Sequence, residues 1–256
     1  MPYKHGRPVI DLSLFFRIAS LLTLYLAFPI AFLITFMQHF TGYKHRWRIY
    51  GIKKAITVSN HTTFLDPAKI GGLVFPRLVF QTLLEGTVEF PILGTFTRLL
   101  GGVPIARGKS GIKKITEICG KAFKYSRYMH FYPEGECFLY NQKIKVFKPG
   151  AFRIAAELDI PVVPLVTVFS EGCFKPWSVW GRSLPLEKLV VLEPEYPSSY
   201  IRRDSNGEIS GESVKEFAEA VRQKMQSEID RRHGSNAFFR GQMERMKGIN
   251  EAPGNN

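Results

Sequence analysis

The sequence predicts an α/β fold: a mixed, mainly parallel sheet flanked by helices, with an N-terminal membrane-associated helical segment. Three observations predict it. Short apolar runs at Ala55–Val58, Leu78–Leu84, Met129–Phe131, Ile160–Val168 and Leu189–Leu192 alternate with longer amphipathic stretches, the pattern of strand–helix units. Several of these runs lead into polar, turn-forming residues, and strand tips are where open sheets place their chemistry. Finally, no charged residue occurs from Ile18 to Met37, whose content is mostly Leu, Ile, Phe and Ala.

The 256 residues bound the chain to one large domain, or one domain with an appendage. A hydrophobic content of 45% is ample for a core. The expected division is a membrane-anchoring helical segment over 1–45, an α/β domain over 46–247 and a flexible tail over 248–256. Formal net charge is +13, which suits nucleic acid, anionic lipid or phosphorylated substrates. The basic residues are spread over many elements without a basic-aromatic motif, which argues against nucleic acid. Cys119, Cys137 and Cys173 have neither disulfide-like nor metal-ligand spacing and read as free thiols in a reducing compartment. No metal site is expected.

Along the chain, Lys4, His5 and Arg7 open a basic cluster before the apolar run. Ile18–Met37 approaches the length needed to cross a bilayer core of ~30 Å. Pro29 sits inside it, so the sequence admits a kinked span or a re-entrant helical hairpin. Lys44, His45, Arg46, Arg48, Lys53 and Lys54 follow. Positive charge there marks a cytoplasmic flank and attracts anionic headgroups.

The strand at Ala55–Val58 then delivers Asn60-His61-Thr62-Thr63-Phe64-Leu65-Asp66-Pro67, with Pro67 suited to a first helical turn. On one continuous helix His61 and Asp66 would stand about 140° apart in projection and would not meet. With His61 in the turn and Asp66 in the first helical turn, they converge. A carboxylate on one imidazole nitrogen fixes the tautomer and supports the charge the ring gains as a base. No protein nucleophile is then needed if the base activates a substrate hydroxyl directly. The same residues also suit a plain loop, with Asn60 and Asp66 in cap hydrogen bonds.

Glu89–Leu100 is apolar enough to line an acyl groove or to be core. Gly102-Val103-Pro104-Ile105-Ala106-Arg107 brings a guanidinium to a strand end, where it can grip a phosphate or simply face solvent. Ser110 is placed to cap a helix with Ile115, Cys119 and Phe123 on one face. Phe131-Tyr132-Pro133-Glu134-Gly135 runs a strand into a corner that exposes the Glu134 carboxylate. The prolines in Ile160–Val168 argue for a sheet edge or a ligand-facing opening. Ser213-Val214-Lys215-Glu216 reads as a capping box, and Val214, Phe217, Val221, Met225 and Ile229 as the stripe of a long amphipathic helix.

Four segments, taken in order, resemble the glycerolipid acyltransferase family typified by lysophosphatidic acid acyltransferases: Asn60–Asp66, Gly102–Arg107, Phe131–Gly135 and Ile160–Pro164. Phe147-Lys148-Pro149-Gly150-Ala151 resembles the family's lead-in to the last motif. The resemblance implies transfer of a fatty acyl group from acyl-CoA or acyl carrier protein, as co-substrate and with no further cofactor, to the free hydroxyl of a lysophospholipid at a membrane. It implies His61 as general base, Asp66 as its orienting carboxylate, and Arg107, Glu134 with Gly135, and Lys148 as acceptor-binding residues, Arg107 on the phosphate. The third motif departs from the family's usual Glu-Gly-Thr-Arg, reading Glu134-Gly135-Glu136-Cys137. That departure leaves another lysophospholipid, glycerol phosphate or an amino-group acceptor open beside lysophosphatidate. A hydrolase, with water in place of the acceptor, is the competing chemistry.

Overall fold

The structure is a computed structural model describing residues 10–11, 13–39, 42–84, 87–88, 91–105, 109–171 and 185–243. Arg107, Cys173, the basic cluster Lys4–Arg7 and the proposed tail over 248–256 lie outside the described residues.

Helix α1 (Leu14–His39) runs continuously across Pro29, so the apolar stretch forms one helix and not a hairpin. At ~1.5 Å per residue it is about 39 Å long. It lies against α3 (Asp66–Val74) and α4 (Pro91–Leu99). Phe28 stacks on Phe75 with ring centroids 3.9 Å apart, and Tyr25 meets Phe75 edge-on at 5.2 Å. The outward side, including Phe15, Leu22, Leu26, Ile30 and Leu33, is exposed. By length and composition Leu14–Phe36 is able to cross a membrane.

Seven strands form one sheet in the order β1 (Gly42–Lys44), β7 (Leu186–Val191), β6 (Val162–Ser170), β2 (Ala55–Ser59), β5 (Tyr128–Phe131), β3 (Phe80–Leu84) and β4 (Gly102–Ile105). Every neighbouring pair is parallel except β6 with β7. The mixed, mainly parallel sheet expected from the sequence is therefore present, and it begins at Gly42. The period-2 alternation of strands sorts side chains to two layers. Ile56, Val58, Met129, Phe131, Val162 and Val166 pack with α5 (Lys109–Ala122), α6 (Gly150–Leu158) and α7 (Gly211–Arg231). Ala55, Tyr128, Val163 and Leu165 pack with α3 and the short α2 (Trp47–Tyr50).

Three local expectations are corrected. The proline-bearing β6 is an interior strand, not an edge. Pro164 is tolerated because it sits where the β7 ladder ends: Leu192 donates to Pro164 O at 2.9 Å, just past the last residue of β7. The N-cap of α7 is Ser210, whose hydroxyl accepts from Ser213 N, so the helix starts before the Ser213–Glu216 box; Glu216 instead pairs with Arg202 at 2.6 Å. Ser110 lies within α5, which begins at Lys109. The basic flank after α1 is also partly structural. Arg46 donates to Leu73 O (2.6 Å) and Phe75 O (2.8 Å), satisfying carbonyls orphaned at the end of α3.

Candidate active site

The site lies beyond the C-terminal ends of β2 and β5. Asn60 fastens the end of β2 to β6: its Nδ2 donates to Thr167 O (3.0 Å) and its Oδ1 accepts from Thr167 N (2.9 Å). The chain then folds around one carboxylate. Asp66 Oδ2 accepts from the backbone N–H of Thr62 (2.6 Å) and of Thr63 (2.9 Å), and Asp66 Oδ1 accepts from the Thr63 hydroxyl (2.7 Å). Asp66 is the first residue of α3, with Pro67 following, so turn and helix meet as the spacing predicts.

His61 Nδ1 lies 2.9 Å from Asp66 Oδ2. Both Asp66 oxygens receive donors, so the carboxylate is ionised and Nδ1 is the donor of this bond. In the neutral ring Nε2 then carries the lone pair, and it makes no hydrogen bond to a described residue. The His61 side chain is 20% exposed while Asp66 is buried. Burial opposes ionisation of Asp66, but the Lys69 charge and the His61 and Thr63 hydrogen bonds outweigh it and hold the carboxyl well below its usual range. Tyr132 stacks on His61 with centroids 4.0 Å apart and planes 23° apart, fixing the ring's second axis.

Glu134 is buried and not exposed at the corner as the sequence suggested. Its Oε1 accepts from His61 N (3.1 Å) and its Oε2 from Lys145 N (3.0 Å), so it ties the His61 turn to the 143–148 segment. Burial pushes its carboxyl up to about 7 against the pull of these two amides. Gly135 has φ +75°, a left-handed turn closed by Gly135 N donating to Tyr132 O at 3.0 Å. The Lys148 side chain occupies the space a Cβ on Gly135 would need. Lys148 N donates to Pro133 O at 2.8 Å. The structure thus gathers His61, Asp66, Glu134, Gly135 and Lys148 around one turn, while Arg107 lies outside the described residues.

Sequence reasoning missed three neighbours: Lys69, Glu187 and His130. Lys69 is fully buried and donates to Asp66 Oδ1 (3.1 Å), Thr63 Oγ1 (2.7 Å) and Glu187 Oε1 (2.6 Å). Its position three residues after Asp66 on one helix was a usable signal; Glu187, far along the chain, offered none. His130 is buried between the Thr57 (2.9 Å) and Ser59 (3.1 Å) hydroxyls and meets Tyr132 edge-on at 4.6 Å. Burial pushes its imidazole down to about 3, so it is neutral. Cys137 is buried, and burial pushes its thiol up to about 12, which leaves it un-ionised and a poor nucleophile. Among the described residues no cluster of three or more His, Cys, Asp or Glu side chains is placed to hold a metal ion.

The chain is similar to known acyltransferases in sequence and, for one solved structure, in fold. Residues 42–168 match the acyltransferase family. A 1-acyl-sn-glycerol-3-phosphate acyltransferase of Saccharomyces cerevisiae is 27% identical over 177 residues, 68% of this chain and 54% of that protein. A chloroplastic 1-acyl-sn-glycerol-3-phosphate acyltransferase of Arabidopsis thaliana is 31% identical over 125 residues, 48% of this chain and 33% of that protein. The chain therefore spans about half, or less, of the length of these relatives. The crystal structure of the 1-acyl-sn-glycerophosphate (LPA) acyltransferase PlsC from Thermotoga maritima superposes with a TM-score of 0.54 at 20% identity, covering 82% of this chain and 78% of that one; it shares the fold.

Proposed function

The chain belongs to the acyltransferase family, and on that premise we propose that it moves a fatty acyl group from acyl-CoA or acyl carrier protein to the free hydroxyl of a lysophospholipid, 1-acylglycerol-3-phosphate giving phosphatidic acid. The observation that carries this reading is the His61–Asp66 pair with Nε2 uncommitted. A hydroxyl brought to Nε2 gives up its proton as its oxygen attacks the thioester carbonyl carbon. Asp66, ionised and held by two backbone amides, supports the imidazolium so formed. The tetrahedral intermediate collapses by breaking the C–S bond, and the imidazolium proton goes to the departing thiolate. No covalent nucleophile enters this scheme, and burial holds the Cys137 thiol protonated. Acyl-CoA or acyl carrier protein is a co-substrate in this scheme, and no other cofactor enters it.

Arg107 is assigned to the acceptor phosphate, with Lys148 beside the Glu134–Gly135 turn as the second cation. The names of the relatives support a glycerolipid acceptor. The exposed apolar side of α1 supports that helix as the membrane anchor, the α/β sheet starting after it at Gly42, and the basic residues that follow α1 favour a cytoplasmic α/β domain. Because α1 lies along α3 and α4, it fits a helix lying in one leaflet better than an upright span.

The test is an assay of the purified protein with labelled acyl-CoA and acyl carrier protein against a panel of lysolipids. Acceptor-dependent ester formation, lost in His61→Ala, is expected. Acceptor-independent release of free fatty acid would replace this reading with a thioesterase.

A further inference from the structure

The fold carries a second charged site away from His61. A cavity of about 440 Å³ opens between the N-terminal half of α1 and the loops that precede β2, β3 and β5. Five cations line it, Arg17, Lys53, Arg77, Lys124 and Arg127, against one acid, Asp11. None of the five is ion-paired with a carboxylate among the described residues. Two of the guanidinium faces are occupied: Arg17 lies over Tyr125 at 4.7 Å and Arg77 over Tyr50 at 5.4 Å. Burial pushes the Tyr128 phenol up against the pull of Arg77 and Arg127, the Tyr128 hydroxyl donates to Ile49 O (2.7 Å), and Arg77 Nη1 is buried with no hydrogen-bond acceptor among the described residues. Four positive charges in excess around one cavity repel one another and are stabilised by an anion.

The position says which anion. Lys53 precedes β2 and His61 follows it, so about 16 Å of strand separates the cavity from the base. The cavity is not an extension of the catalytic turn. It adjoins the end of α1 where Leu14, Phe15, Ile18 and Leu22 are exposed. With α1 lying in the leaflet, those side chains enter the acyl region and the cations sit at headgroup depth. We propose that this cavity binds the phosphate of an anionic phospholipid of the host membrane, whose acyl chains lie along the outer face of α1. The proposal rests on the membrane reading of α1 and not on the acyl-transfer chemistry.

The full chain in detergent is mixed with vesicles of phosphatidylcholine alone, or of phosphatidylcholine with phosphatidylglycerol, and floated through a density gradient. The variant Arg77→Met/Lys124→Met/Arg127→Met is compared with Lys113→Met/Lys143→Met/Lys215→Met, which removes the same charge elsewhere on the surface. Each cation at a membrane surface contributes about fivefold to partitioning, so the cavity variant should lose on the order of a hundredfold of the phosphatidylglycerol-dependent binding. The control variant should lose far less, and both should melt and turn over in detergent as the parent does. Equal losses in the two variants, or none, would overturn the site. So would a rise in melting temperature with inorganic phosphate in detergent that the cavity variant abolishes, because the ligand would then be a free phosphate. Failure of the parent to bind either vesicle would overturn the membrane reading as well, whereas parent binding indifferent to phosphatidylglycerol would overturn this inference alone.

Discussion

Lys69 Nζ stands 2.6 Å from Glu187 Oε1, and their side chains are 1% and 0% exposed. The same ammonium reaches Asp66 Oδ1 at 3.1 Å, so the carboxylate that holds His61 is itself held by a buried cation anchored to β7. His61 takes Oδ2 and Lys69 takes Oδ1, which fixes the carboxylate plane. Removing one partner from such a group leaves an uncompensated charge in the interior. Lys69→Met should therefore destabilise the protein by about 3–5 kcal/mol. A double-mutant cycle of Lys69→Met with Glu187→Gln, read by denaturant midpoints in detergent, should return a coupling of about 1–3 kcal/mol. Strict additivity would show that the pair is independent.

Asp66→Asn tests the orienting role separately from the charge of the triad. Whichever way the new amide turns, its NH₂ faces donors: the Thr62 and Thr63 amides with His61 Nδ1 on one side, Lys69 and the Thr63 hydroxyl on the other. Acyl transfer should fall by about 10⁴-fold, the scale of losing the correct His tautomer. Steady-state rates with saturating acyl donor check this, and a loss below tenfold would remove Asp66 from the mechanism.

Glu134 supplies a pH signature. Its carboxyl is raised to about 7 in the fold from an ordinary 4.5, because burial disfavours the charged form. A raised value means the native state holds the proton more tightly than the unfolded chain. The stabilisation is complete below the unfolded value and is lost as pH climbs through the folded one. Stability of the parent relative to Glu134→Gln should thus decline between about pH 4.5 and pH 7, by up to about 3 kcal/mol. Gln also places an NH₂ against one of the two backbone donors, a constant cost of about 1–3 kcal/mol that does not change with pH. Unfolding free energies of both proteins across that range give the difference curve, and a flat curve would contradict the assignment.

The sequence reading reached furthest where the signal was local. The strand–turn–helix over 55–74 was legible because an apolar run, a polar turn and Pro67 follow one another within one unit, and the convergence of His61 on Asp66 followed from that. The stripe of α7 was legible for the same reason, through its helical period. What failed depended on distant partners. Nothing near Glu134 announced that the amides of His61 and Lys145 would bury it. Pro164 suggested an edge because the end of β7, where Leu192 stands opposite Pro164, is invisible in the run around Val162. The cap of α7 was misplaced because Ser210 and Ser213 are both competent caps, and the bond between Arg202 and Glu216 decides against the second.

Gly135 and Lys148 allow the acceptor-binding role to be separated from the architecture of the turn. Gly135 sits at φ +75°, where a side chain costs about 1–2 kcal/mol, and the Lys148 side chain already fills the place of its Cβ. Gly135→Ala should therefore displace Lys148 and strain the turn that presents Tyr132 and Glu134 to His61. Adding Lys148→Ala relieves the collision but not the backbone strain, so the double variant should recover part of the lost stability. Lys148→Ala alone leaves the turn intact, because the Lys148 backbone N–H still donates to Pro133 O. If Lys148 contributes to gripping the acceptor phosphate, this variant raises KM for the lysophospholipid severalfold with kcat and the KM for the acyl donor nearly unchanged, and the effect shrinks at high salt as screening weakens a solvent-exposed cation. An unchanged acceptor KM in Lys148→Ala, with the loss confined to Gly135→Ala, would assign both residues to holding the turn and leave the acceptor to other side chains.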